Sequence, residues 1–244
     1  NWYADRHGTE GDDFHRELVQ PAVLRQLSPQ PGQRVLDVGC GIGLLGRFLA
    51  GNGISTTGLD ASTSMLAVAR RLAGQHEEYL QGDAHDLGAA LAGRTFDHAA
   101  LVLVLQDLDP ITDVLDGIFA HLRPGGRLAV VLTHPCFRQP RRATWGWDEE
   151  KKIQFRRVDA YASPACVPIL THPGQPWSTA STSSFNRPLA VYLNALGAAG
   201  LPVIGCEELC SHRRGSKGRK SRAEEVACRE FPVFLVLTAQ RPGG

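Results

Sequence analysis

The sequence predicts an α/β protein built on a doubly wound, mostly parallel sheet. Short apolar strands alternate with helical segments over the first 133 residues, and this alternation is typical of parallel sheets whose two faces are covered by helices. A turn with glycine at alternate positions follows the first strand, and an acidic residue ends the second. The 244 residues fit one such domain with an insertion, or at most two small domains.

The predicted elements follow one another in a regular order. A helix is expected over 12–27, and strands over 34–38, 55–60, 79–80, 96–103 and 127–132. Helices are expected after the first two strands, the second of them capped by Ser62, and over 111–122. Strand four is a nearly continuous apolar run, as expected of a central parallel strand. A helix over 189–199 and strands over 203–206 and 233–238 complete seven strands.

Composition excludes several classes of protein. The formal net charge of +1 gives no global attraction to nucleic acid or membranes. No apolar run approaches the roughly 20 residues that span a bilayer, and Asn1-Trp2-Tyr3 does not begin a signal peptide. Cys206, Cys210 and His212 leave a zinc site open as an alternative, but buried thiols acting as small apolar residues are favoured. We therefore expect a cytoplasmic enzyme without a metal or a membrane partner, as a monomer or homodimer.

The glycine turn and the acid after strand two predict a nucleotide-cofactor site. Side chains at Gly39, Gly41 and Gly43 would keep a ligand away from the backbone, and Asp60 can accept both hydroxyl hydrogens of a ribose. Asp37 precedes the turn, which contains no basic residue. An acid there suits a cationic sulfonium and would repel pyrophosphate. Dinucleotide binding, whose third glycine stands three residues after the second, is therefore disfavoured.

The stretch 36–43, Leu-Asp-Val-Gly-Cys-Gly-Ile-Gly, resembles the first motif of the class I S-adenosylmethionine-dependent methyltransferases of small-molecule type. The resemblance covers 32–133 well and 185–240 in outline. It implies a Rossmann-like seven-stranded sheet with an antiparallel last strand, S-adenosylmethionine as methyl donor and S-adenosylhomocysteine as product. Arg123-Pro124-Gly125-Gly126 matches the family's turn before strand five.

The resemblance also implies roles for particular residues. Asp37 and the three glycines hold the methionine part of the cofactor, and Asp60 holds the ribose. Ala61 and Met65 line the adenine pocket, and Asp83, followed by Ala84, meets the adenine amino group. Leu103 ends strand four beneath the reactive sulfur. The cofactor set is Asp37, Gly39, Gly41, Gly43, Asp60, Ala61, Met65, Asp83, Ala84 and Leu103.

Acceptor binding is expected beyond the carboxyl ends of strands four and five. His134, after strand five, is the leading candidate for a general base, with a histidine that only fixes the loop as the alternative. Cys136 could be a nucleophile, as in RNA cytosine-C5 methyltransferases, but their Pro-Cys after strand four is absent. The chain also lacks the Asn/Asp-Pro-Pro-Tyr/Phe signature of adenine or glutamine methylation.

Aromatic residues concentrate in 134–184, which holds three of the four tryptophans. We expect this insertion to cover the substrate and exclude water, within a methyltransferase domain over 32–244 preceded by an N-terminal helical lid over 1–31. Candidate substrate contacts are Tyr3, His15, Trp145, Trp147, Tyr161 and Arg187.

Six basic residues lie within 213–222, a pattern that nucleic-acid-binding loops share. Aromatic residues are not interleaved with them and Glu224-Glu225 follow, so a solvated loop over 210–230 is favoured. The predicted function is methyl transfer to an O or N atom of a small organic acceptor. RNA methylation through the basic loop and non-catalytic cofactor binding remain alternatives.

Overall fold

A seven-stranded sheet forms the centre of the protein, seen here in a computed structural model that describes residues 11–170, 181–213 and 218–243. The strands are β1 (Arg34–Val38), β2 (Ser55–Asp60), β3 (Glu77–Gln81), β4 (Phe96–Val102), β5 (Leu122–Thr133), β6 (Ala143–Asp148), β7 (Ile153–Val158), β8 (Ala165–Leu170), β9 (Ser181–Asn186), β10 (Val203–Leu209) and β11 (Phe234–Gln240). The order in the main sheet is β10-β11-β5-β4-β1-β2-β3.

Strand direction in the main sheet follows the predicted pattern. β1 pairs in parallel with β2 and β4, and β3 and β5 continue the parallel arrangement. β11 is antiparallel to both β5 and β10. The doubly wound, mostly parallel sheet with an antiparallel last strand is therefore confirmed.

Helices cover both faces of this sheet. They are α1 (Gln20–Leu27), α2 (Leu44–Ala50), α3 (Thr63–Leu72), α4 (Leu87–Leu91), α5 (Ile111–His121), α6 (Leu189–Ala198) and α7 (Ser221–Glu230), with a π-helical turn at His15–Val19 before α1 and a 3-10 turn at Leu105–Asp107. Alternate residues of β5 enter two cores. Leu128, Val130 and Leu132 pack with α5 and α6, whereas Ala129 and Val131 pack on the side of α1 and α2.

The insertion after β5 is more regular than the sequence predicted. The segment 134–184 was expected to lack regular structure, yet it contains the antiparallel hairpin β6–β7 and most of a second hairpin, β8–β9. Both hairpins form separate two-stranded sheets outside the main one. Residues of β7 alternate between exposed and half-buried positions. This strand therefore lacks the alternation of polar and fully buried apolar residues that reveals a core strand in sequence.

The prediction of a loop over 210–230 is wrong for 221–230, which form α7. Most of its side chains are polar, and Ala227 is its one fully buried residue, so the helix lacks the wide apolar stripe that identifies most helices in sequence. Glu225 and Arg229, one turn apart, form an ion pair on its surface. Among the described helices, none combines the length and apolar character needed to cross a bilayer.

Candidate cofactor and acceptor site

The glycine turn after β1 is held to the end of β2 by hydrogen bonds. The amides of Gly39 and Cys40 donate to the Leu59 carbonyl at 2.7 and 3.1 Å. One carboxylate oxygen of Asp60 accepts from the amide of Gly41 at 2.8 Å, and the other accepts from the amide of Ser62, also at 2.8 Å. Asp60 therefore organises both the turn and the start of α3.

Two glycines of the turn serve different physical needs. A Cβ at Gly43, where φ is +77°, would lie 2.3 Å from the Tyr79 hydroxyl oxygen, so this position has no room for a side chain. A Cβ at Gly41, where φ is +54°, would meet only the Met65 methyl at 3.7 Å. Gly43 is therefore required for packing against β3, whereas the backbone of Gly41 is open to a ligand.

A cavity of about 160 Å³ lies beside this turn. It is lined by six residues of the predicted cofactor set, namely Asp37, Gly39, Gly41, Asp60, Met65 and Leu103, and by His15, Gln20, Cys40, Ile42, Leu44, Leu45, Val102 and Val104. The carboxyl ends of β1, β2 and β4 thus meet at one site, where ligands bind in doubly wound sheets.

Four predicted cofactor residues lie outside that lining. Gly43 precedes α2 and faces Tyr79, and Ala61 is exposed beside Asp60. The carboxylate of Asp83 accepts from the amide of His85 at 2.9 Å, and this bond is the main reason its pKa is lowered. Ala84 is buried in the core with Leu87.

Asp37 is the most unusual charge in the cavity. It is 2% exposed, and none of the described residues donates a hydrogen bond to its carboxylate. Burial, reinforced by the negative charge of Asp60, raises its pKa to about 7. A buried carboxylate without donors is stabilised in its ionised form by a cation. The cavity therefore has the chemistry to bind a positively charged ligand.

The segment before α1 supplies one wall of the cavity. The Asp12 carboxylate is bonded to the His15 backbone amide at 3.0 Å and lies 2.8 Å from its ring Nδ1. Gln20 donates to the Leu44 carbonyl at 3.1 Å. His15 begins the π-helical turn, a distortion that often accompanies functional sites. The sequence did not predict Gln20 as a site residue, because a single glutamine in a helix belongs to no recognisable motif.

The end of β4 is strained where it meets the cavity. Leu103 has φ of +55°, a conformation that is unfavourable for residues other than glycine. Its amide donates to the Val131 carbonyl at 2.9 Å and its carbonyl accepts from the Gln106 side chain at 2.8 Å. Strained residues held in this way concentrate at functional sites.

His134 does not line the cavity. It is 1% exposed, its Nδ1 accepts from the Cys136 amide at 3.2 Å, and its Nε2 lies 2.9 Å from the Glu208 carboxylate. These partners define the neutral tautomer with the proton on Nε2. Burial lowers the pKa of His134, although Glu208 opposes this shift. With both ring nitrogens engaged, His134 fixes the chain after β5 and has no nitrogen left for an acceptor.

The two predicted tryptophans pack outside the cofactor cavity. Trp145 makes an edge contact with Phe231, and the Arg156 guanidinium lies 4.9 Å from its ring centre. Trp147 lines a separate surface cavity of about 670 Å³ between β6–β7 and α7, where the Lys220 ammonium lies 4.6 Å from its ring centre. Each of the two rings thus has a cationic side chain of the protein near its centre.

The other predicted substrate residues have structural partners. The Tyr161 hydroxyl accepts from the Leu189 amide at 2.9 Å and lies 3.6 Å from the Cys136 sulfur. Arg187 donates to the Leu108 carbonyl at 2.7 Å and pairs with Asp109 at 2.8 Å. Tyr3 lies outside the described residues.

Asp107, in the 3-10 turn after β4, is a titratable group that the sequence did not single out. Its amide donates at 2.8 Å to the carbonyl of Val104, which lines the cofactor cavity. Burial raises the pKa of Asp107 to about 6, although a hydrogen bond with Ser184 opposes this effect.

Within the described residues, no group of three histidine, cysteine or acidic side chains is placed to hold a metal ion.

Comparisons with known proteins agree with this fold and site. Residues 36–130 match the family described as Methyltransferase domain. The chain is 34% identical over 215 residues to malonyl-[acyl-carrier protein] O-methyltransferase of Enterobacter lignolyticus. The aligned region covers 87% of this chain and 81% of that protein. It is 31% identical over 115 residues to ubiquinone biosynthesis O-methyltransferase of Coxiella burnetii, about half of each protein (46% and 49%).

A solved structure is similar over nearly the whole chain. The S-adenosylmethionine-dependent methyltransferase of Mesorhizobium loti superposes with a TM-score of 0.70 at 25% identity, covering 96% of this chain and 100% of that one. The fold and the glycine-turn cavity define a Rossmann-like nucleotide-cofactor enzyme. The chain belongs to the class I S-adenosylmethionine-dependent methyltransferases, and its cofactor is S-adenosylmethionine.

Proposed function

We propose that this methyltransferase modifies an O or N atom of a small organic acceptor and that Asp107 is the general base. The observation that carries the proposal is the half-buried carboxylate of Asp107, one turn beyond β4, on a residue whose backbone amide is bonded to Val104 of the cofactor-cavity lining. In this fold, acceptors meet the residues that follow the central strands. The named activities of the two curated relatives, both O-methyltransferases, favour an oxygen acceptor.

The cavity residues fit the cofactor that the family uses. S-adenosylmethionine supplies a methyl group on a positively charged sulfur together with an amino-acid tail. The buried carboxylate of Asp37 favours that cationic part of the ligand. The open backbone at Gly41 and the oxygens of Asp60 favour the ribose, with Met65 beside them. We assign these residues to cofactor binding on that basis.

Asp107 has the properties that a base for a hydroxyl or ammonium acceptor needs. Such an acceptor must lose a proton as its oxygen or nitrogen attacks the methyl group. A carboxyl group whose pKa is raised to about 6 by burial is ionised at neutral pH and more basic than an exposed aspartate. The Ser184 hydroxyl and the Arg187 guanidinium lie close enough to oppose part of this rise in pKa.

The test is methyl transfer to a panel of small phenols, hydroxy acids and amines, followed by mass spectrometry. Asp107→Asn should lower kcat by about 10²–10⁴-fold and leave S-adenosylhomocysteine affinity unchanged. Asp116→Asn, at an exposed acid of α5, is the matched control. In the wild-type enzyme kcat should fall as pH drops below about 6, because protonated Asp107 cannot accept a proton. Full activity of Asp107→Asn would rule out this role.

Two outcomes separate the alternatives. Cofactor binding without turnover on any acceptor would favour a non-catalytic protein. Methylation of tRNA, with binding that weakens steeply as salt rises, would favour the RNA alternative. Within the described residues, one arginine of the basic run is already engaged, since the Arg213 guanidinium is bonded to Asp13 at 2.8 Å and lies 4.0 Å from the Phe14 ring centre.

A further inference from the structure

A second, smaller cavity lies beyond the carboxyl ends of β4, β5 and β9. Its volume is about 30 Å³, and its polar lining includes Gln106, Arg138, Gln139, Ser184, Asn186 and Arg187. One water needs about 10–15 Å³ measured in this way, so the cavity has room for a group of about two or three heavy atoms. Gln106 joins it to the cofactor cavity, because its side chain donates to the carbonyl of Leu103.

Unsatisfied polar atoms concentrate around this small cavity. In the described part of the chain, seven buried side-chain nitrogen or oxygen atoms lack a hydrogen-bond partner, and five of them belong to residues of this lining. They are Gln106 Oε1, Gln139 Oε1 and Nε2, Asn186 Oδ1 and Arg187 Nη1. Buried polar groups are normally paired, so this concentration indicates a missing ligand or ordered water.

Other hydrogen bonds set the orientation of three of these side chains, those of Gln106, Asn186 and Arg187. The Gln106 amide nitrogen donates to Leu103, and the Asn186 amide nitrogen donates to the Pro140 carbonyl at 3.0 Å. Arg187 uses Nη2 for Leu108 and Asp109. The side chains are 8% exposed or less at Gln139, Asn186 and Arg187. The remaining atoms of Gln106, Asn186 and Arg187 therefore offer one oriented donor and two oriented acceptors among residues that line one small volume.

The cavity lining also includes one guanidinium, that of Arg138, without a carboxylate partner among the described residues. No described residue forms a hydrogen bond or an ion pair with the Arg138 guanidinium, and burial lowers the pKa of this group. Arg156 lies close enough that the charge of Arg138 lowers its pKa further, after burial. Asp109 neutralises Arg187, and Asp107 lies near Arg187 and Ser184. The charge of Arg138 remains without a carboxylate partner.

We propose that this cavity binds the carboxylate of the methyl acceptor, and that the acceptor is an organic acid with a hydroxyl or amino group beside its carboxylate. The assignment to the acceptor rests on the proposed function. A carboxylate has three heavy atoms and pairs well with guanidinium groups. The adjacent hydroxyl or amino group can donate to the amide oxygen of Gln106 or of Asn186, which a carboxylate alone leaves unpaired.

The experiment measures head-group binding directly and needs no turnover. Protein saturated with S-adenosylhomocysteine is titrated with glycolate, acetate and glycolamide, and binding is followed by ligand-observed nuclear magnetic resonance. Glycolate should bind with a dissociation constant on the order of millimolar, acetate more weakly and neutral glycolamide weakest. Arg138→Gln and Gln139→Glu should each weaken glycolate binding at least tenfold, because the first removes the free charge and the second adds an opposing one.

Matched variants separate recognition from folding. Arg138→Lys should retain most of the glycolate affinity, and Arg71→Gln, at an exposed arginine of α3, should retain all of it. Thermal melting and unchanged S-adenosylhomocysteine affinity establish that each variant is folded. Equal binding of glycolate and glycolamide, or full glycolate binding by Arg138→Gln, would overturn the carboxylate assignment. No glycolate binding would overturn it as well and would leave water as the occupant of the cavity.

The acceptor panel distinguishes this inference from the proposed function. The enzyme should methylate hydroxy or amino acids in preference to their neutral amides, and Arg138→Gln should lose this preference. That result supports both the carboxylate-binding cavity and the proposed function. Methylation of neutral acceptors only would refute the carboxylate role and leave the methyltransferase proposal intact. Glycolate binding without methylation of any small acceptor would refute the small-acceptor proposal and leave the carboxylate-binding cavity in place.

Discussion

The carboxylate of Asp60 accepts a hydrogen bond from the amide of Gly41 at 2.8 Å, which ties the end of β2 to the turn after β1. Because its second oxygen accepts from the Ser62 amide at 2.8 Å, one side chain sets the shape of the side of the cavity that we assign to the ribose. A cofactor hydroxyl there would meet a carboxylate that is already oriented, which reduces the entropic cost of binding.

Asp60→Ala should weaken S-adenosylhomocysteine binding at least tenfold, because both the ribose acceptor and the support for Gly41 are lost. A charged hydrogen bond contributes about 1.5–3 kcal/mol, and losing that free energy weakens binding by about tenfold or more. Calorimetric titration measures the affinity, and Asp116→Asn in α5 is the control. Unchanged affinity in Asp60→Ala would remove Asp60 from cofactor binding.

Alanine at two glycines of the turn should have opposite effects. Gly41→Ala places a methyl group in the cavity without a close protein contact, so it should weaken S-adenosylhomocysteine binding and leave the fold almost as stable. Gly43→Ala places a methyl group 2.3 Å from the Tyr79 hydroxyl oxygen. Overpacking of this kind costs about 1–3 kcal/mol in addition to the strain of positive φ.

Gly93→Ala is the control for backbone strain, because Gly93 has φ of +75° and no atom lies within 4 Å of the place that a Cβ would occupy. Urea denaturation should show Gly43→Ala to be clearly less stable than Gly93→Ala. Equal stability of these two variants would mean that Tyr79 moves without cost, and the packing role of Gly43 would be lost.

Asp37→Asn should stabilise the fold and weaken binding of the cofactor. The ordinary pKa of 3.8 is raised to about 7 in the folded protein, so ionisation favours the unfolded chain between these pH values and the wild type loses stability as pH rises through this window. The neutral variant avoids this loss. Its advantage should grow from pH 4 to pH 7, remain constant above pH 7, and be on the order of a few kcal/mol.

Calorimetry should show that Asp37→Asn binds S-adenosylmethionine more weakly than the wild type. Wild-type affinity should fall as pH drops below about 7, because a cationic ligand prefers the ionised carboxylate, and the variant should lose this dependence. A stability advantage that is equal at pH 4 and pH 8 would contradict the raised pKa.

His134→Gln tests whether this histidine is a base or a structural group. A base would lower kcat by about 10²-fold or more when removed, whereas we expect turnover close to wild type and reduced thermal stability from the loss of the Glu208 contact. Because burial lowers the pKa of His134 below 6.5, wild-type stability should fall as pH drops below 6.5, and the variant should lose part of this slope. The exposed His76→Gln is the control.

Much of the fold was predictable because its signals are local. The apolar run of β4, the Ser62 cap, whose hydroxyl accepts from the Met65 amide at 3.3 Å, and the alternating strands and helices each depend on neighbours in the chain. The hairpins within 134–184 and helix α7 were missed because their strands and helix pack only one weakly apolar face. Weak one-sided burial leaves little periodicity in sequence.

The sequence by itself indicated the residues that we assign to the cofactor, because Asp37, the glycines and Asp60 belong to one strand-turn-helix-strand unit whose spacing reflects its geometry. Only the tertiary structure brought together the groups that we propose for acceptor binding. It showed that His134 is engaged by Glu208, and it brought Gln106, Arg138 and Asn186 around one cavity. These residues come from three separate parts of the chain, so no local pattern could reveal which unpaired groups share the same buried volume.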